Sequence, residues 1–352
     1  MAAEFELILE TIDEWSKHGI GFALATVVGA RGSTYRGLAA RQLMADDAAS
    51  VGTVSGGCLD KELASVAREV ISSGLARLVE FDLTADDEEV WGWGIGCNGV
   101  TELLVEPAPG AMAWARLVRS PPRGLLAILH SLDAETLGEH RPVLAGDPMW
   151  SAEAEEALAS DRNQRLSKDG ADYLLEVVAG PSRLVVCGAG HDAVPMVRFG
   201  AELGFEVIVV DDRRQFLTRE RFPEASALVQ CAPAELARHV EIGSRTAVVV
   251  MTHNYLRDVD YLKSLMGTSA IYIGCLGPGA RLERLLKDVE AAGVVPTGDD
   301  LAKIHGPAGL DVGAEGPVEI AWSVMAEILA ARRRHQGGSL RDRKGPASVR
   351  PQ

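Results

Sequence analysis

Two cysteines sit directly behind glycines: Cys58 in "GTVSGGCLDKEL" (52–63) and Cys97 in "GWGIGCNG" (92–99). A glycine turn lets a ligand approach the backbone closely. Cys58 also precedes an acidic, helix-like stretch, and a helix N-terminus favours the thiolate. A thiolate suits soft metals or sulfur transfer better than hard cations. Spacing alone leaves a second reading open, two ordinary loop cysteines. Upstream, "GARGSTYRGLAARQLM" (29–44) sets Ser33, Arg36 and Arg41 among small residues. Arginines in such a setting suit a phosphate or another anion, and a solvated loop before a strand fits the same letters. Cys187 and Cys275 fall in apolar runs and read as core residues; Cys231 has no motif around it.

A second chemistry-bearing stretch is "RLVVCGAGHDAVPMVRFGAELGFEVIVVDDR" (183–213), with Gly188, Gly190 and Ala193 in G-x-G-x-x-A spacing. Asp211 ends the next apolar run, 23 residues after Gly188. In a dinucleotide site Gly188 makes the tight turn and Gly190 admits a pyrophosphate. Ala193 allows close helix packing, and Asp211 accepts from ribose hydroxyls. This predicts a Rossmann fold. A dinucleotide or another ligand on the same turn both satisfy the pattern. His191 falls in the first turn of the following helix, facing a ligand or solvated. His253, in "VVVMTHNYLRD", ends the fourth strand of the series. Ligands of open parallel sheets sit at the carboxyl ends of strands, so His253 is placed for ligand contact or proton transfer. A histidine bonded within its own turn is the alternative. In the glycine-rich "IHGPAGLDVGAEGP", His305 and Asp311 are expected to line a cleft between domains, and Glu315 to cap the final helix.

The elements that must hold these residues follow from periodicity. Residues 4–18 carry Phe5, Ile8, Leu9, Ile12 and Trp15 at helical spacing. "FALATVVGA" reads as a buried strand, and short strand-like runs alternate with helices near 59–72 and 110–119. Residues 1–165 therefore form a mixed α/β domain. A polar stretch makes 166–182 a linker and connecting strand. From 183 to 335, apolar runs alternate with helices, which predicts a doubly wound parallel sheet of Rossmann type. The basic, Gly- and Ser-bearing tail, 336–352, reads as disordered.

Bulk properties exclude some classes. The 352 residues suffice for about two domains. Hydrophobic residues at 47% and charged residues at 24% are ordinary for a globular chain. A net charge of −15 argues against nucleic acid or an anionic membrane as partner. No apolar run approaches the ~18 residues of a spanning helix, and the N-terminus lacks a basic signal region. A cytoplasmic protein is expected. Five widely spaced cysteines without a CxxC argue against a disulfide framework and a structural zinc site.

Taken in order, these motifs resemble the XdhC/CoxI family, accessory proteins of xanthine dehydrogenase and related molybdenum hydroxylases. "GSTYRGLAAR" resembles its G-S-x-P-R-x-x-G-A-R, "GTVSGGCLD" its G-x-x-G-G-G-C-L-E, and "GIGCNG" its G-L-G-C-G-G. "VVCGAGHDA", "VVDDR", "MTHNYLRD", "YIGCLGP" and "IHGPAGLDVGAEGPVEIA" follow its C-terminal pattern. Tyr35 stands where proline is usual, and Ala39, Ser55 and Asn98 where glycine is usual. "GPGAR" (277–281) departs from the commoner G-S-x-x-K.

The resemblance implies a chaperone that binds molybdenum cofactor, protects it while a terminal oxo ligand is exchanged for sulfur, and hands it to an apo-hydroxylase. Cys58 and Cys97 would then be soft metal ligands or sulfur-handling groups, with Gly57 admitting the bulky pterin. Ser33, Arg36 and Arg41 would hold its phosphate. The implied partners are a xanthine dehydrogenase-type hydroxylase and a cysteine desulfurase, with a homodimer compatible. Two other readings stand beside it. One is an NAD(P)-dependent oxidoreductase with His253 as acid or base; the other is an adaptor whose cysteines are incidental.

Overall fold

The computed structural model describes residues 2–32, 34–47, 49–57, 59–82, 99–122, 125–178 and 182–342. The chain divides into two compact units, Met1–Ala179 with Ser339–Gln352, and Gly180–Gly338. Ser33, Cys58 and Cys97 lie outside the described residues, as does most of the tail expected to be disordered.

The first unit runs α1 (Ala2–His18), β1 (Phe22–Gly32), β2 (Arg41–Ala45), β3 (Ser50–Gly52), α2 (Asp60–Ser73), β4 (Arg77–Asp82), β5 (Gly99–Pro107), α3 (Ala108–Arg119), β6 (Leu125–Ser131), β7 (His140–Leu144), α4 (Ser151–Ser160), β8 (Gln164–Lys168) and β9 (Ala171–Val177). One antiparallel sheet has the order β3-β2-β1-β5-β4, a second β7-β6-β9-β8. β1 reads as an unbroken apolar run because both its faces are covered. Phe22 and Leu24 meet α1 and α3 through Ile8, Ile12 and Trp114. Ala23, Ala25 and Val27 meet α2 through Leu63, Ala67 and Val70.

Residues 166–178, expected as a linker and connecting strand, are strand on both sides of one tight turn. β8 and β9 form a hairpin of the second sheet, with Leu174, Leu175 and Glu176 buried on β9. The turn is Asp169–Gly170, with φ of 53° and 83°. An Asp-Gly pair with two positive φ angles is the tight connection that matches strand twist. The polar composition that suggested a linker belongs to this turn and to β8 at the sheet edge.

A buried ion pair ties the two sheets of this unit. Arg41 on β2 places Nη1 and Nη2 each 2.7 Å from the two oxygens of Glu176 on β9. The Arg41 guanidinium lies 4.0 Å over the Trp114 ring. Trp114 Nε1 (3.0 Å) and His130 Nε2 (2.9 Å) also donate to Glu176. The His130 and His140 rings meet edge to face at 4.8 Å. His140 Nε2 lies 2.9 Å from Glu106 Oε1, off the line of a hydrogen bond, and donates to the Gly110 carbonyl at 3.2 Å.

The second unit runs β10 (Arg183–Cys187), α5 (Ala193–Glu202), β11 (Glu206–Asp211), β12 (Ala227–Gln230), α6 (Leu236–His239), β13 (Thr246–Val250), α7 (Tyr255–Leu265), β14 (Tyr272–Cys275), α8 (Gly279–Ala291), α9 (Gly298–Lys303), β15 (Ile304–His305) and α10 (Gly316–Arg332). All its strands are parallel, in the order β12-β11-β10-β13-β14-β15. This is the doubly wound sheet expected from the alternating runs. Leu184 and Val186 of β10 pack under α5 and α10. Val185 and Cys187 pack under α7 and α8. Cys187 and Cys275 are core residues as expected, and burial raises both thiols, Cys275 to about 12. Cys231 is buried too. Among the described residues no helix is long and apolar enough to cross a membrane.

Candidate functional site

The strand order reverses direction between β10 and β13, and open parallel sheets bind ligands at such a point. Here the carboxyl ends of both strands, with that of β14 and the start of α10, line a cleft of about 720 Å³. The cleft lies wholly within the second unit. Gly188, φ 121°, makes the turn out of β10, where an added Cβ would come 2.7 Å from the Met251 carbonyl oxygen. Only glycine allows the two strand ends to approach so closely. Gly190 and His191 follow and face the cleft.

His253 also faces the cleft and adopts φ 56°, a sparsely populated conformation for a residue with a Cβ. Its Nε2 lies 2.5 Å from Asp192 Oδ2, while 67% of its side chain stays exposed. Across the cleft Arg281, in the first turn of α8, donates to Asp258 at 2.8 Å. Asp258 is buried and accepts from the Thr252 hydroxyl. The His253 backbone is thus fixed by its neighbour Thr252, and the imidazole by Asp192. The remaining wall is apolar, with Met196, Met251, Leu276 and Ile320. Asp192 and Arg281 fall inside the stretches "VVCGAGHDA" and "GPGAR", but nothing local marks their roles. Their partners lie 61 and 23 residues away along the chain.

Asp211 is placed otherwise than the ribose role requires. Its carboxylate accepts the Ala189 amide at 2.8 Å and the Arg213 amide, Nε and Nη2 at 2.9 Å each. Burial pushes the group up, but the Arg213 hydrogen bonds and the Ala189 amide outweigh it and hold the carboxyl at about 2. With its lone pairs so engaged, Asp211 braces the glycine turn. His305 stacks on Tyr272 at 4.5 Å and lies 3.2 Å from Glu327, inside the second unit. Asp311 is exposed in the loop before α10. Glu315 takes the cap position of α10, but its side chain makes no cap; Glu319 accepts the Glu315 amide instead, at 2.8 Å.

In the first unit Arg41 is corrected from anion reader to core residue, since Glu176 occupies both its terminal nitrogens. Arg36 pairs with Glu4 at 2.9 Å and is partly exposed. Gly57, φ 100°, has open space where a Cβ would stand. The Ser55 hydroxyl accepts its amide at 3.1 Å, just before α2. Among the described residues no group of three or more metal-ligating side chains comes together.

Residues 15–82 match the XdhC and CoxI family, and residues 184–328 match the XdhC Rossmann domain. A Bacillus subtilis (strain 168) protein, named as a probable xanthine dehydrogenase subunit, is 29% identical over 345 residues, 94% of this chain and 98% of that protein. The Escherichia coli (strain K12) molybdenum cofactor insertion chaperone PaoD is 26% identical over 316 residues, 89% and 84% of the two chains. A crystal structure of a xanthine dehydrogenase from Bacillus halodurans superimposes with a TM-score of 0.74 at 28% identity, covering 94% of this chain and 98% of that one. Both sequence blocks, their order and the doubly wound sheet agree, and the chain belongs to the XdhC and CoxI family.

Proposed function

We propose that this protein is an accessory chaperone for a molybdenum enzyme. It takes molybdenum cofactor as cargo, shelters it while a terminal oxo ligand is replaced by sulfur, and passes it to a xanthine dehydrogenase-type hydroxylase. The observation that carries this reading is family membership across both units, together with a relative named for molybdenum cofactor insertion. In this reading Cys58 and Cys97 meet the metal or its sulfur, and Gly57 leaves room for the pterin. Ser33 and Arg36 take its phosphate, a cysteine desulfurase supplies the sulfur, and the chain works as a homodimer. Arg41 has no part in it. The rival NAD(P)-dependent oxidoreductase is weakened by the engagement of Asp211 with Arg213.

Cys58→Ala is expected to abolish cofactor retention after anaerobic gel filtration, and Cys97→Ala to weaken it. Neither substitution removes a large core side chain, so circular dichroism should be unchanged. Undiminished retention in the double variant would overturn the ligand role. Unfolding of either variant would show instead that these are packing cysteines.

A further inference from the structure

We propose that the cleft in the second unit binds a nucleoside monophosphate, and that it is not a dinucleotide site. The proposal is independent of the cofactor reading, which concerns the first unit.

Two features that a dinucleotide needs are taken by the protein's own groups. The first is the acid that reads the adenosine ribose. Asp211 is buried and gives its oxygens to Ala189 and Arg213. The second is the bare glycine over which a pyrophosphate crosses. At Gly190 an added Cβ would meet Asp192 Oδ1 at 2.5 Å, so a carboxylate already lies against that face. Like charges repel, and Asp192 is held in place by His253 at 2.5 Å. A diphosphate bridge would have to displace that anion and break the pair.

The rest of the cleft suits a smaller ligand. Arg281 lines it with one nitrogen committed to Asp258, which fixes the guanidinium plane. A fixed guanidinium suits a single phosphate. Met196, Met251, Leu276 and Ile320 offer an adaptable apolar wall for a flat base. The cleft, about 720 Å³, falls within the range of small-ligand sites. With Nε2–H donating to Asp192, His253 Nδ1 is left as an acceptor for a ligand N–H or O–H. His253 holds a left-handed backbone, φ 56°, a strain of the kind that clusters at binding sites.

Titration calorimetry of the full chain with AMP, GMP, CMP, UMP, NAD+ and NADP+ tests this. At least one monophosphate is expected to bind with a Kd on the order of 10–100 μM, and both dinucleotides at least tenfold more weakly. Arg281→Lys keeps the charge that neutralises Asp258 but loses the planar fork, and should weaken the monophosphate about tenfold. His253→Asn tolerates the same backbone and should also weaken it, with unchanged thermal unfolding. In the wild type, the His253 imidazole ¹⁵N signals should shift at Nδ1 on titration. No binding of any monophosphate at millimolar concentration, equal or tighter binding of a dinucleotide, or an unmoved His253 signal would each overturn the proposal.

Discussion

Glu176→Gln is expected to destabilise the first unit by about 3–5 kcal/mol, the usual cost of stranding one member of a buried ion pair. For a unit of this size that is a fall of about 10 °C in melting temperature. Glu176 accepts from both terminal nitrogens of Arg41, from Trp114 and from His130. A glutamine would leave the Arg41 charge unneutralised among Trp114 and apolar neighbours, and would turn an amide donor toward other donors. The same cluster sets a pH dependence. Burial pushes Glu176 up, but the Arg41 charge and the His130 hydrogen bond outweigh it and hold the carboxyl far below its ordinary 4.5. Burial lowers His130 from 6.5, against the opposing pull of Glu176. For both groups the unfolded chain binds protons more readily than the folded one, so stability rises with pH. The His130 contribution is lost as pH falls below 6.5 toward its folded value, and that of Glu176 as pH falls below 4.5. Denaturant unfolding from pH 8 to pH 4 should show this decline. A flat profile in the wild type, or a Glu176→Gln chain as stable as the wild type, would contradict it.

Gly188→Ala is the second large effect. The residue has φ 121°, and its Cβ would stand 2.7 Å from the Met251 oxygen and 2.9 Å from the Met251 carbonyl carbon. Both atoms are backbone at the end of β13, so the neighbour can yield only by shifting Thr252 and His253. We expect a loss of roughly 2–4 kcal/mol from strain and steric displacement together. Gly190→Ala is the informative contrast. Its Cβ clashes with the Asp192 carboxylate at 2.5 Å, a side chain that can turn away, and makes only an ordinary contact with the His253 ring at 4.0 Å. That variant should melt close to the wild type while breaking the Asp192–His253 pair. Equal melting temperatures for the two alanine variants would show that the backbone clash at Gly188 is relieved.

The doubly wound sheet was legible because parallel strands buried on both faces leave unbroken apolar runs, as in "RLVVC" and "TAVVV". The antiparallel arrangement of the first unit was not, since short strands of mixed polarity pair by register over long separations. The Asp169–Gly170 turn carried a hairpin signal, which the surrounding polar residues obscured. Arg41 looked like an anion reader because its partner Glu176 lies 135 residues away. Asp211 matched the ribose-reading position by spacing, yet Arg213, two residues on, takes its carboxylate. Types and spacings locate a candidate site; they do not say which polar groups the protein has already satisfied internally.

The central claim, that this chain carries molybdenum cofactor, is tested most directly by metal and pterin analysis of protein purified anaerobically from a host that makes the cofactor. Molybdenum and pterin are expected in comparable molar amounts in the wild type, with both lost together in Cys58→Ala. Wild-type protein carrying neither, under conditions where a hydroxylase from the same cells is loaded, would contradict it.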